Sequence, residues 1–276
     1  MMRMAHWRRA FSPGRVVVLA LLTLLTLFTL YPLVWLVLSS LKTPYEMFDS
    51  AWRLPEVWQW GNYRTAWAFG LGHYIVNSVI VTSVSVTLIL LAGALTAFLL
   101  TVVPFRGKAL ITLFIMGGMV LPPEVSLFPL FRILNMFGLY NTYGAMIVPY
   151  VAFGLPFAVF FIGAYMAMVP HDFYEAATLD GAGLLRCFWS IYLPVSLPAV
   201  AAVGVIQGMR VWNEFQFALT FIESDSLRTL TIGISTFGDA LRVDWAVLMA
   251  GLVISVAPVL AAFLATQRHF VGMAQG

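Results

Sequence analysis

The chain has 276 residues, 61% of them hydrophobic and only 10% charged, with a formal net charge of +3. Ordinary soluble domains are roughly 45–50% apolar and about 25% charged, so these proportions exclude a water-soluble globule and point to one membrane domain. The basic residues sit at the ends of apolar runs, not in a patch with interleaved aromatics, which argues against nucleic acid as the partner and marks them as topology signals.

Met1 to Arg15 carries Arg3, Arg8, Arg9 and Arg15 ahead of a charge-free run from Val16 to Leu41. That run exceeds the roughly 7–15 apolar residues of a secretory signal, and no small-residue cleavage site follows it. It therefore reads as a retained first crossing. A spanning helix needs about 20 mostly apolar residues, and on that criterion six crossings are expected. The second lies within Tyr74 to Phe105. The third runs from Ala109 past Glu124 to about Phe131, and the fourth lies within Ile133 to Pro170, with Asn141-Thr142 as its start. The fifth runs from about Leu197 to Ile222, and the last from Trp245 to Gln267. The fold class that follows is an all-α integral membrane protein built as a six-helix transmembrane bundle. Between the first two crossings, Pro44, Pro55, Gly61, Gly70 and Gly72 read as an irregular extramembrane connection.

Six crossings place both termini on one side. With the termini in the cytoplasm, Arg3, Arg8, Arg9, Arg15, Arg106, Lys108, Arg186 and Arg268 lie inside. Lys42, Arg53, Arg64, Arg132, Arg228 and Arg242 then lie outside, and the excess favours this orientation. Residues 1–15 are then a cytoplasmic segment, 16–268 the membrane domain and 269–276 a cytoplasmic tail.

One cytoplasmic loop, residues 170–194, differs from the others. Asp172 stands where an N-cap belongs, with Glu175 at the capping-box position, and Gly181 or Gly183 can end the helix in a left-handed conformation. The expected object is a short helix, a turn and a second helix. Phe173, Ala176, Ala177 and Leu179 leave the short helix small and apolar on part of its surface, while Glu175 and Asp180 add negative charge. Such a knob suits a groove on a partner. The alternative is a helix lying on the membrane, although those are normally rich in Lys and Arg on the polar face.

Other polar residues near membrane depth are few. Arg210 and Glu214 lie about midway along the fifth crossing, where a charge costs roughly 2.5–3.5 kcal/mol on insertion scales. They are spaced to pair with each other; in the functional alternative, Trp212, Asn213, Glu214 and Gln216 line a solute pathway, with Asn213 and Gln216 ahead of the charges. Glu124, after the helix-breaking Pro122-Pro123, is either a gate residue or a plain helix terminus. Trp52, Trp58, Trp60 and Trp67 read as an interfacial belt, or else as a docking surface for an extracellular protein. Cys187 leaves no intrachain disulfide to form and reads as an inert apolar side chain. No Cys/His cluster has metal-ligand spacing, and no cofactor is expected.

Glu175-Ala-Ala-Thr-Leu-Asp-Gly-Ala182 followed by Ile191-Tyr-Leu-Pro194 resembles the cytoplasmic EAA loop of the inner-membrane permeases of binding-protein-dependent ABC importers. The likeness covers nearly the whole chain and narrows to the maltose-type carbohydrate permeases. It takes in Asn77-Ser78-Val79, Phe105-Arg-Gly107, Pro129-Leu-Phe131, Gly138-Leu-Tyr-Asn-Thr-Tyr143, Leu155-Pro-Phe157, Trp212-Asn-Glu-Phe215 and Gln267-Arg-His-Phe-Val271. The resemblance implies a sugar permease that pairs with a second, similar subunit on two ATPase subunits and receives its solute from an extracytoplasmic binding protein. It also implies that the helix between the fourth and fifth crossings is the coupling helix, with Glu175, Ala176, Ala177, Asp180 and Gly181 docking on the ATPase. ATP hydrolysis then belongs to the partner, and this chain, which has no G-x-x-x-x-G-K-[ST] loop, is not an enzyme. The family often has Trp-Asn-Asp-Phe where this chain has Trp212-Asn-Glu-Phe215, and its usual Lys-containing end is replaced by Val271-Gly-Met-Ala-Gln-Gly276. Two competing classes are an ion-coupled secondary transporter, for which Arg210 and Glu214 speak, and a membrane-embedded enzyme. The latter needs a nucleophile and base at membrane depth, and His6, His73, His171 and His269 all fall outside the expected crossings.

Overall fold

The structure, a computed structural model, describes residues 13–49, 52–240 and 244–273. Arg3, Arg8, Arg9 and Arg242 of the topology argument, and Ala274 to Gly276 of the tail, lie outside the described residues. Among those described the chain is helical and contains no strand. Four helices are long and apolar enough to cross a membrane: Gly14–Ser39, Gly61–Thr101, Tyr143–Met166 and Leu184–Trp212. Lys108–Gly117 and Trp245–Ala261 are shorter apolar stretches, the latter opening a helix that continues to Met273.

Two compact units are present, one of residues 1–69 and 237–256, the other of residues 70–236 and 257–276. In the first unit, the Pro13–Ser39 helix leaves its Leu and Val side chains exposed along most of its length. For a run this apolar such a surface suits lipid, where a helix satisfies all its own backbone polar groups. Just beyond it, Asn62 Nδ2 donates to the carbonyls of Ser40 (2.9 Å) and Lys42 (3.0 Å), and the Gln59 amide donates to Leu41 O at 2.9 Å. A capping box follows: the Thr43 amide donates to Glu46 Oε2 (2.7 Å) and the Glu46 amide to Thr43 Oγ1 (3.3 Å). The backbone amides of Thr43 and Glu56 hold the Glu46 carboxyl below the usual carboxylate range. The expected irregular connection is therefore only partly irregular. A short helix occupies Gly61–Ala66, and the chain then kinks within Trp67–Leu71, where Gly70 takes a non-helical φ of 98°, before the long Gly72–Thr101 helix begins. Gly70, read as a breaker from sequence, separates two helices here, in a left-handed conformation that glycine adopts at no steric cost.

The core of the second unit is the pairing of the Gly72–Thr101 and Tyr143–Met166 helices, with Leu193–Trp212 packed on both. Membrane helices associate through small residues that let backbones approach, and this pair does so repeatedly. A Cβ on Gly93 would lie 2.6 Å from Ala158 Cβ, and one on Gly154 would lie 2.6 Å from Ile89 Cδ1. Pro149 and Pro156 sit inside the second of these helices, tolerated because neighbouring helices and local adjustments re-satisfy freed backbone groups.

Two expected crossings are interrupted. The third is not a single helix: Lys108–Gly117 stops at Gly117-Gly118, before Pro122-Pro123, and the chain resumes as a 3₁₀ turn at Pro123–Ser126 and a helix at Leu127–Met136. Ten residues rise only about 15 Å, too little to span. The fifth begins earlier than expected, as Leu184–Cys187 and a π turn at Phe188–Tyr192 feeding Leu193–Trp212. It ends at Trp212, and a separate helix occupies Gln216–Phe221.

Candidate functional site

The short helix of the 170–194 loop forms at Asp172–Leu179. Asp172 is not its N-cap. The amides of Tyr174 and Glu175 already bond to His171 O, at 2.8 and 3.2 Å, so the first turn begins one residue earlier and Asp172 and Glu175 both lie within it. There they complement the positive end of the helix dipole. The other end closes as a Schellman motif: Gly181 adopts φ 80°, its amide bonds to Thr178 O (3.0 Å) and the Ala182 amide reaches back to Ala177 O (2.9 Å). Gly181, not Gly183, is thus the left-handed terminator.

This helix has two faces. Ala177, only 9% exposed, belongs to the same buried cluster as Met166, Cys187, Phe188 and Tyr192. Phe98 ties that cluster to the Gly72–Thr101 helix, with its ring centroid 5.6 Å from Phe188 and 5.2 Å from Tyr192. Glu175, Ala176, Asp180 and Gly181 are exposed, as are Phe173 and Leu179. Of the five residues assigned to docking, four therefore face outward, and Ala177 roots the helix in the bundle. Cys187 is fully buried, in keeping with an inert apolar role.

The second candidate lies at the break after Trp212. Glu214 does not pair with Arg210: the helix ends between them, and the Glu214 carboxylate instead accepts from Tyr150 OH and from the amides of Phe217 (2.8 Å) and Ala218 (3.3 Å). It thus satisfies free N–H groups at the start of Gln216–Phe221. Arg210 is left exposed, with no ion pair to Glu214. A cavity of about 190 Å³ opens here, lined among others by Glu124, Tyr150, Gln207, Arg210, Glu214 and Gln216. Phe217 forms an aromatic wall with Tyr150 and Phe153, at centroid distances of 6.1 and 5.6 Å.

Of the expected pathway residues, Glu214 and Gln216 line this cavity, and so does Glu124. Trp212 is not among its lining residues, and Asn213 turns its Nδ2 back onto Met209 O at 2.8 Å. Tyr150, Phe153 and Gln207 escape a reading of the sequence because they sit inside charge-free runs. A usable signal exists for Gln207, which stands three and seven residues before Arg210 and Glu214, on the same helical face.

The Asn77-Ser78 and Gly138 to Tyr143 motifs serve as joints between elements. Asn77 Nδ2 donates to the carbonyls of Ser226 (3.0 Å) and Arg228 (2.9 Å), while its Oδ1 accepts from Tyr143 OH at 2.7 Å. Ser78 Oγ accepts from the Leu230 amide at 2.8 Å. Asn141, at φ 55°, accepts on Oδ1 from the amides of Glu223 (3.0 Å) and Ser224 (2.9 Å). Together these bonds clip the 222–230 loop to the starts of two long helices.

Apolar helices with interrupted crossings, a short acidic helix rooted in the core and a polar cavity at a helix break mark a multi-pass membrane protein. The sequence pattern of the family "Binding-protein-dependent transport system inner membrane component" matches residues 89–270, and the chain belongs to that family. It is 40% identical over 270 residues to "Probable ABC transporter permease protein YurM" of Bacillus subtilis, covering 98% of this chain and 90% of that one. It is 36% identical over 242 residues to "Diacetylchitobiose uptake system permease protein NgcG" of Streptomyces coelicolor, covering 87% and 80%. In fold it is similar to a chain of a bacterial ABC transporter involved in the import of the acidic polysaccharide alginate, with a TM-score of 0.81 at 21% identity, covering 94% of this chain and 99% of that one.

Proposed function

We propose that this chain is one of two permease subunits of an ABC importer that takes up a sugar or related small polar solute. In this reading the Asp172–Leu179 helix couples it to a separate ATPase. The observation that carries the reading is the two-faced helix: an exposed surface of Glu175, Ala176, Asp180 and Gly181 over an inner face locked into the core by Ala177. A helix free to lie on the membrane has no need of such a root. One that transmits force from a partner to the bundle does.

The solute class is supported by what the relatives are named for, diacetylchitobiose uptake among them. The wider assembly follows: a second, homologous permease, two ATPase subunits and an extracytoplasmic solute-binding protein. Residues 1–15 and 269–276 lie in the cytoplasm in this topology, flanking a permease domain at 16–268 in a prokaryotic inner membrane. ATP is hydrolysed by the partner, and this chain receives the work without binding the nucleotide.

The test is uptake into vesicles carrying the assembled complex. Uptake is expected to require ATP on the ATPase side and to persist when ionophores collapse all ion gradients. Uptake that survives ATP depletion and stops with the gradients would make the chain a secondary transporter.

A further inference from the structure

We propose that the connection after the first crossing, residues 44–49 and 52–58, is a membrane-surface anchor. It folds back along the Pro13–Ser39 helix and lays its exposed aromatic side chains on the lipid of the leaflet at the Ser39 end. The observation that points there is the stack of Trp52 on Tyr31, with ring centroids 5.4 Å apart and planes at 25°. Tyr31 is not at the helix end. It stands eight residues before Ser39, a distance of about 12 Å along the axis.

Depth follows from the length of the apolar run. A hydrocarbon core of about 30 Å takes up about 20 helical residues; counted from Val16, next to the charged Arg15, they end near Trp35. Tyr31 then lies about 6 Å inside the core boundary. Tilt carries that boundary further along the helix and leaves Tyr31 deeper, and helical side chains lean towards the N-terminus, which lowers its ring again. Trp52 reaches that ring, so its indole sits at or below the membrane interface, the level at which Trp is enriched. Apart from the face against Tyr31 the indole is open, with Trp52 76% exposed.

The neighbouring side chains suit the same surface. Tyr45 and Phe48, three residues apart on the Pro44–Asp49 helix and therefore on one face, are exposed, as are Leu54 and Val57. The charges are paired within the segment. The Glu46 carboxylate accepts from the Thr43 amide, the Thr43 hydroxyl and the Glu56 amide at 2.7, 2.9 and 2.7 Å. Arg53 bridges Asp49 (3.9 Å) and Glu56 (2.9 Å). A large exposed apolar patch marks a docking face for protein or membrane, and the depth of Trp52 selects the membrane. This surface is then closed to a solute-binding protein.

The experiment uses the complete importer in phosphatidylcholine vesicles. Cys187 is buried, so Phe48→Cys and Trp52→Cys each offer one exposed thiol for a small fluorophore. Both labels are expected to lose fluorescence when the vesicles carry acyl chains brominated near the headgroup, and to keep it when iodide is added to the water on both sides. Saturating solute-binding protein is expected to leave both signals unchanged. Phe48→Cys keeps the Trp52 stack and carries the comparison if Trp52→Cys fails to assemble. Adding Trp52→Ala to Phe48→Cys is expected to increase quenching by iodide at residue 48, because the contact that holds the segment down is gone. Iodide quenching of the label at 48 without loss to brominated lipid overturns the proposal, and so does shielding that appears only with the binding protein. A label at 48 that ignores Trp52→Ala overturns the anchoring by Trp52.

Discussion

Changing Glu175 to arginine is expected to abolish solute-stimulated ATP hydrolysis and uptake while the membrane bundle stays folded. Glu175 is exposed, and its carboxylate makes no ion pair among the described residues. The cost to the fold is confined to losing a negative charge from the first helical turn and placing a positive one there, about 0.3–1 kcal/mol for each effect. At a protein interface the balance is different: a charge reversal that juxtaposes like charges costs several kcal/mol. Melting in detergent should therefore shift little, while ATPase activity and uptake in the reconstituted complex fall to background. Intact assembly and transport in Glu175→Arg would show that this helix is not the coupling element.

The second large effect falls on the bundle itself. Gly93→Leu is expected to yield no stably folded protein, because even a Cβ at that position meets Ala158 Cβ at 2.6 Å on the principal helix pairing. Overpacking a well-packed core typically costs about 1–3 kcal/mol, and a leucine adds three further carbons where a methyl already collides. Gly93→Ala is the graded version, expected to lower the melting temperature measurably. Combining it with Ala158→Gly moves the methyl across the contact and should recover most of the loss. A Gly93→Ala protein that melts like the wild type would mean that the two helices do not meet there.

The apolar runs were legible because length and absence of charge are all that a crossing requires, and Pro13–Ser39 and Tyr143–Met166 fall on them. The short helix was legible too, since a glycine after Leu179-Asp180 announces its own left-handed terminator. Breaks inside crossings were not. Trp212 to Phe221 reads as unbroken helix until Tyr150, from another helix, claims the Glu214 carboxylate, and that contact lies 64 residues away in sequence. The same partner hides the fate of Arg210, which a spacing of four assigns to Glu214. Gln207 was invisible for a related reason: an amide inside an apolar run carries no charge to mark it, and only the packing of another helix supplies its Gly154 partner. Asn77 and Asn141 were seen as family motifs, but their work as clips for the 222–230 loop depends on pairings that no local pattern encodes.

The central claim, that the Asp172–Leu179 helix seats on an ATPase, has a direct test in this chain. Its single cysteine, Cys187, is buried, so Ala176→Cys introduces one exposed thiol on the outward face. In the assembled importer, a short thiol-to-amine cross-linker at residue 176 is expected to join this chain to the ATPase subunit. A thiol at 176 that labels freely but captures no ATPase, while Arg106→Cys in the same complex does, would contradict the account.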